Sequence, residues 1–105
     1  MKSIDVTELK RLIDNKEQFV LIDVREQAEF DAANINGTLI PTSVFVSRFN
    51  EVPKDGKVII QCRSGQRSAN VISWLEQNHG YENLYNLDGG IIAWANEIDP
   101  TIIVH

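Results

Sequence analysis

Two short apolar runs, Phe19-Val20-Leu21-Ile22 and Val58-Ile59-Ile60, and a third strand-like segment, Leu84 to Leu87, are separated by stretches whose apolar residues recur at helical spacing. This alternation constrains the fold more than any other feature. A short apolar run rich in branched side chains fits a strand buried on both faces, and such strands belong to parallel sheets covered by helices. Val6, Leu9, Leu12 and Ile13 follow Asp5, a suitable N-cap with Glu8 three positions on, and predict a helix over roughly 6–15. Glu26 to Ala32 and Thr42 to Phe49 read as short helices, with the turn-prone Asn36-Gly37 and a brief Leu39-Ile40 strand between them. Val71, Trp74 and Leu75 form one stripe of a helix over Arg67 to Asn78 that Gly80 ends. After the tight turn Asp88-Gly89-Gly90, the spacing of Ile91, Trp94, Ala95 and Ile98 predicts a last helix that Pro100 stops. The expected architecture is one α/β domain over residues 1–105, with a mainly parallel sheet and helices on both faces. The apolar stretch Thr101 to Val104 is expected to lie over that sheet or to pair with another chain.

Ten basic residues stand against 15 acidic ones, a net charge of -5 that opposes binding to the nucleic-acid backbone. No segment reaches the length of a membrane-spanning helix. The first residues lack the apolar stretch of an export signal, and a single cysteine forms no internal disulfide, so a reducing cytoplasm is the expected compartment.

That cysteine, Cys62, lies where the Val58–Ile60 strand ends and a helix is about to begin, at the carboxyl edge of the sheet where ligands of α/β domains collect. Between them Arg63-Ser64-Gly65-Gln66 must curl, so that successive backbone NH groups converge near the sulfur and form an anion nest. Gly65 permits the left-handed backbone such a curl needs, and a helix N-terminus adds about half a positive charge. With Arg63 and Arg67 close by, the thiol is expected below its free pKa of about 8.5, as a ready nucleophile. Taken alone, a lone cysteine at a strand end is a small buried hydrophobe, and isolated arginines are solvated surface charges. Together they describe a site for an anionic substrate or leaving group, held by two guanidiniums. His79 and His105 have no partner at catalytic spacing and read as surface residues, and Ser64 and Ser68 as hydrogen-bonding groups of the loop and helix start.

Cys62-Arg63-Ser64-Gly65-Gln66-Arg67-Ser68 resembles the active-site loop of rhodanese-like sulfurtransferases, and the likeness runs along nearly the whole chain. Leu21-Ile22-Asp23-Val24-Arg25-Glu26 with Glu29-Phe30, Asn34 to Pro41, and Asn86-Leu87-Asp88-Gly89-Gly90 with Trp94 are similar to three further motifs of that family, in the same order. In the second of these, Ala33-Asn34 stands where many members have Gly-His, and Thr38 where alanine is usual, in a segment taken as structural. The resemblance implies a three-layer domain with a central sheet of about five strands. It implies a sulfurtransferase that moves sulfane sulfur from thiosulfate or a similar anion, through a Cys62 persulfide, to cyanide, a thiol, or a thioredoxin-like or other acceptor protein. Arg63 and Arg67 would bind the donor, and the loop from Arg63 through Ser64, Gly65 and Gln66 to Arg67 would stabilise the persulfide. Neither metal nor cofactor is called for. By the same resemblance Asp23, Arg25 and Glu29 buttress the fold through charge pairs.

Phosphatases of the cell-cycle dual-specificity type and arsenate reductases share this fold but use a C-x5-R loop, whereas four residues separate Cys62 from Arg67 here. A tetrahedral oxyanion needs a wider ring of NH donors than one extra sulfur atom does. The remaining alternative is a non-enzymatic module that carries persulfide sulfur or binds a partner through the same loop.

Overall fold

The computed structural model describes residues 1–105. Five strands, β1 (Lys2–Ile4), β2 (Val20–Asp23), β3 (Thr38–Leu39), β4 (Val58–Gln61) and β5 (Leu84–Leu87), form one sheet in the order β1-β5-β4-β2-β3. Every neighbouring pair is parallel. Helices α1 (Val6–Asp14), α2 (Gln27–Ala32), α3 (Phe45–Arg48), α4 (Gln66–His79) and α5 (Gly90–Glu97) alternate with the strands.

Each strand of the centre feeds a different core on its two faces, because successive side chains point to opposite sides. Ile22, Val58 and Ile60 pack with Phe45, Val71, Ile72 and Leu75 on the α3–α4 side. Ile59 and Leu87 pack with Val6, Leu9, Leu12 and Trp94 on the α1–α5 side. The central strand β4 is buried at every residue, which is why its sequence is a continuous apolar run ending in Gln61. α1 begins as expected: the Asp5 carboxylate accepts the Glu8 amide NH at 2.8 Å, and Val6, Leu9 and Leu12 are buried. At the far end of α4, Gly80 takes the left-handed conformation, φ 67°, that closes the helix.

Three departures from the sequence expectation have physical causes. β1 gives no strand signal because it is three residues long at the sheet edge and two of them are exposed. The segment after Pro41 is a composite of a 3-10 turn over Thr42–Val44, α3, and a second 3-10 turn over Phe49–Glu51, which turns the chain from β3 back toward β4. The C-terminal stretch does not cover the sheet as a unit. Ile102 packs beside the α1–α5 core, whereas Ile103, Val104 and His105 border a hollow whose other side is formed by Ala28, Ala32 and Ala33 of the α2 segment.

At the carboxyl end of β2, Asp23 and Arg25 form a buried ion pair at 2.8 Å, with side-chain exposures of 0% and 2%. Arg25 also donates to the carbonyls of Ala33, at 2.7 Å, and Glu29, at 3.3 Å, so its guanidinium ties the end of β2 to the middle and the C-terminal end of α2. These are the residues expected to buttress the fold. Removing one partner of such a pair strands the other charge in the core. Arg25→Leu is expected to lower unfolding free energy by about 3 kcal/mol or more, read from urea denaturation at pH 7.

Candidate active site

β4 delivers Cys62 to the carboxyl edge of the sheet, where the residue is 1% exposed. The chain then turns through Arg63 and Ser64 to Gly65, whose φ of 104° lies in the region that glycine alone adopts without strain, and α4 starts at Gln66. The result is a small ring of donors around the sulfur. Cys62 Sγ accepts the Gly65 NH at 3.1 Å and the Ser68 NH at 3.4 Å, and lies 3.4 Å from the Ser68 hydroxyl. Burial pushes the thiol pKa up, but the hydroxyl of Ser68 and the NH groups of Ser68, Gly65 and Ser64 outweigh it, and the pKa falls below the ordinary cysteine value. Thiolate is thus stabilised by aimed dipoles.

The Ser68 hydroxyl has one proton and three acceptors in reach: Asn86 Oδ1 at 2.5 Å, the Gly65 carbonyl at 3.2 Å and the cysteine sulfur. Asn86 Nδ2 donates to the Gly65 carbonyl at 3.1 Å, which fixes the orientation of the amide and leaves its oxygen for the serine. Either the Cys62 thiol or the Ser68 hydroxyl can donate across their contact, whereas a thiolate can only accept there. Asn86 sits in β5, and the sequence reading left it without a role. The available signal was a polar residue inside a buried strand, which must find partners.

The structure places the two arginines differently. Arg67, in the first turn of α4, donates both guanidinium arms to Glu29, at 2.7 and 2.8 Å. Glu29 belongs to α2, and its carboxylate also accepts the Glu26 NH at 3.0 Å. Arg67 holds the Glu29 pKa down at about 2, against the cost of partial burial, and the Glu26 NH and Arg25 contribute in the same direction. Arg63 is exposed and donates from Nε to the His105 carbonyl at 3.2 Å. Ser64 and Gln66 are exposed, and Gln66 Nε2 donates to Asn70 Oδ1 at 3.3 Å.

His79 is not a plain surface histidine. Its ring stacks on Phe49 at 3.8 Å and meets the edge of Trp74 at 4.8 Å, and both partners pack against the buried core. His105 meets the site only through its backbone carbonyl.

A protein-family model described as a rhodanese-like domain matches residues 5–97. The chain belongs to the rhodanese-like domain family. A protein named "Sulfurtransferase" from Allochromatium vinosum is 38% identical over 103 residues, spanning 97% of this chain and 95% of the relative. The probable adenylyltransferase/sulfurtransferase MoeZ of Mycobacterium tuberculosis is 32% identical over 106 residues, and there this rhodanese-like chain spans only 27% of the longer protein. Among solved structures, a rhodanese-like domain protein from Staphylococcus aureus superposes with a TM-score of 0.82 at 34% identity, over 93% of this chain and 95% of that one. The order of strands and helices above is therefore that of a rhodanese-like domain, with Cys62 and its loop at the carboxyl edge of the central strand.

Two measurements probe this arrangement. Ser68→Ala is expected to move the inflection of the pH–rate profile for Cys62 alkylation to higher pH, since a donor to the thiolate is lost. Glu29, whose folded pKa lies below the ordinary 4.5, contributes stability that is complete above pH 4.5 and is lost as pH falls toward 2. Glu29→Gln should lower the urea midpoint at pH 7 and flatten its decline across that acid window.

Proposed function

We propose that this chain is a sulfurtransferase that takes sulfane sulfur from thiosulfate or a similar anionic donor onto Cys62 and passes it to an external acceptor. One observation carries the reading: a buried thiol whose pKa is lowered by a close ring of NH and OH donors, in a loop with four residues between cysteine and arginine. The Cys62 thiolate attacks the outer sulfur of thiosulfate, the S–S bond of the donor breaks, and sulfite leaves with the electron pair. The persulfide so formed keeps its charge near the Gly65 and Ser68 donors, as the thiolate did. Arg63, held only by a backbone carbonyl of the tail, swings to the sulfonate oxygens, while Arg67 contributes positive charge from the position Glu29 sets. In the second step a nucleophile attacks the outer sulfur of the persulfide and Cys62 leaves as thiolate. With one cysteine in the chain, that nucleophile comes from outside: cyanide in an assay, a thiol or a thioredoxin-like or other acceptor protein in a cell. The name of the Allochromatium vinosum relative supports sulfur transfer in general. A second role for the same chemistry, delivery of sulfur to a specific partner, rests on the single cysteine, which leaves discharge of the persulfide to an outside group.

Brief exposure to thiosulfate is expected to add the mass of one sulfur atom to the protein. Excess cyanide should remove it with repeated release of thiocyanate, and Cys62→Ser should do neither. A stable added sulfur without turnover would favour the delivery role. No added mass in the folded protein would sink thiosulfate as donor.

A further inference from the structure

Beside the loop, α3 and α4 enclose an open bay of about 330 Å³ that the sulfur chemistry described so far does not use. Phe45, Val46, Val71 and Trp74 form its apolar walls, and Arg67, Asn70 and Thr42, whose hydroxyl donates to Glu26, its polar edge. The bay adjoins the reaction centre in two ways. Arg67 both lines it and closes the Cys62 loop, and Phe45 and Val71 belong to the same buried cluster as Cys62. Phe45 and Trp74 meet edge to face at 6.4 Å, which sets the floor, while Val46 stands 69% exposed at the rim. A small oxyanion gains nothing from such walls.

Charge defines what the bay accepts. Arg67 is the one charged side chain among its lining residues, and both of its arms are on Glu29. An anionic body would lose its hydration with little to offset the loss, whereas an uncharged apolar body gains by leaving water. Asn70 turns its amide oxygen to Gln66 and retains Nδ2 as a donor toward a polar atom of the occupant. At about 30 Å³ per water-sized group, the volume admits a body of about ten non-hydrogen atoms. It is too small to be the seat of a folded partner, whose stable interface covers about 800 Å² per side.

Resting on the sulfur-transfer reading above, we infer that this bay binds the aromatic or branched aliphatic body of an uncharged thiol, and so selects which small acceptor discharges the Cys62 persulfide. The step balances without an added oxidant or reductant. The acceptor thiol gives its proton to the charged outer sulfur of the Cys62 persulfide and attacks that sulfur as thiolate, and a new S–S bond forms as the bond to Sγ breaks. The organic persulfide departs with the outer sulfur and its proton, and the electron pair returns to Sγ as thiolate. The Gly65 and Ser68 donors receive it again.

The test is single-turnover discharge of the thiosulfate-loaded protein, followed by mass, with benzyl mercaptan, 2-mercaptoethanol, 2-mercaptoethanesulfonate and cyanide as acceptors. Thiol rates are corrected for thiolate fraction. Benzyl mercaptan is expected to exceed the other two thiols by about tenfold or more. Val46→Asp, at an exposed position that tolerates charge, is expected to lower the ratio of the benzyl mercaptan rate to the cyanide rate by about the same factor. If the protein never gains sulfur, thiosulfate fails as donor and this inference fails with it. If it gains sulfur but all thiols discharge it alike, or the ratio is unmoved in Val46→Asp, this inference alone is overturned.

Discussion

The first turn of α5 is docked on the backbone of the Cys62 loop, and the site depends on that contact. The NH groups of Ile91 and Ile92 donate to the carbonyls of Cys62 and Arg63 at 3.0 and 3.1 Å. In a trans peptide the NH of the next residue points opposite to the carbonyl. Pulling the Arg63 carbonyl toward α5 therefore turns the Ser64 NH the other way, to the side of the sulfur, where it helps to lower the thiol pKa. The approach is close enough that a Cβ on residue 90 would stand 2.3 Å from the Cys62 carbonyl oxygen, so Gly90 is required on steric grounds. α5 is held down in turn by Ile91 and Trp94, both buried. A glycine pair far along the chain thus shapes the donor ring around the cysteine.

A second chain of interactions runs from the sheet to the loop through alternating charges. Asp23 at the end of β2 pairs with Arg25, Arg25 reaches the carbonyls of α2, Glu29 of α2 pairs with Arg67, and Arg67 opens α4. Each link fixes one element relative to the next, and each cation near the sulfur except Arg63 has its carboxylate. The positive character at the mouth is consequently local and small, in keeping with an acidic chain of net charge -5. The thiolate is stabilised mainly by donors a few ångströms away, whose effect is not screened as that of exposed charges is. The apolar bay along α4 is left nearly neutral by the same pairing.

Much of this was legible in the residues. The period of Val6, Leu9 and Leu12, the cap at Asp5 and the apolar run of β4 report local preferences, and local preferences suffice for long, regular elements. Cys62 with Gly65 and Arg67 announced a strand–loop–helix nest because the chain has few ways to pass from a buried strand into a helix in so few residues. Less was legible where a partner lies far along the chain. The two arginines looked like equivalent clamps, yet Arg67 is bound by a glutamate 38 positions away and Arg63 by the tail 42 positions away. Ser68 and Asn86, 18 positions apart, become one hydrogen-bonded unit only when α4 and β5 are packed side by side.

What the sequence by itself determined is the longer elements, the parallel character of the sheet and the place of Cys62 in a strand–loop–helix turn, because each follows from periodicity or from the backbone within a few residues. Tertiary structure alone decided which groups tune that thiol, which arginine remains outside an ion pair, and that an apolar bay opens beside it. Those outcomes depend on which side chains from distant segments come within hydrogen-bond or contact distance. That is set by the order of strands in the sheet and the packing of helices on its two faces.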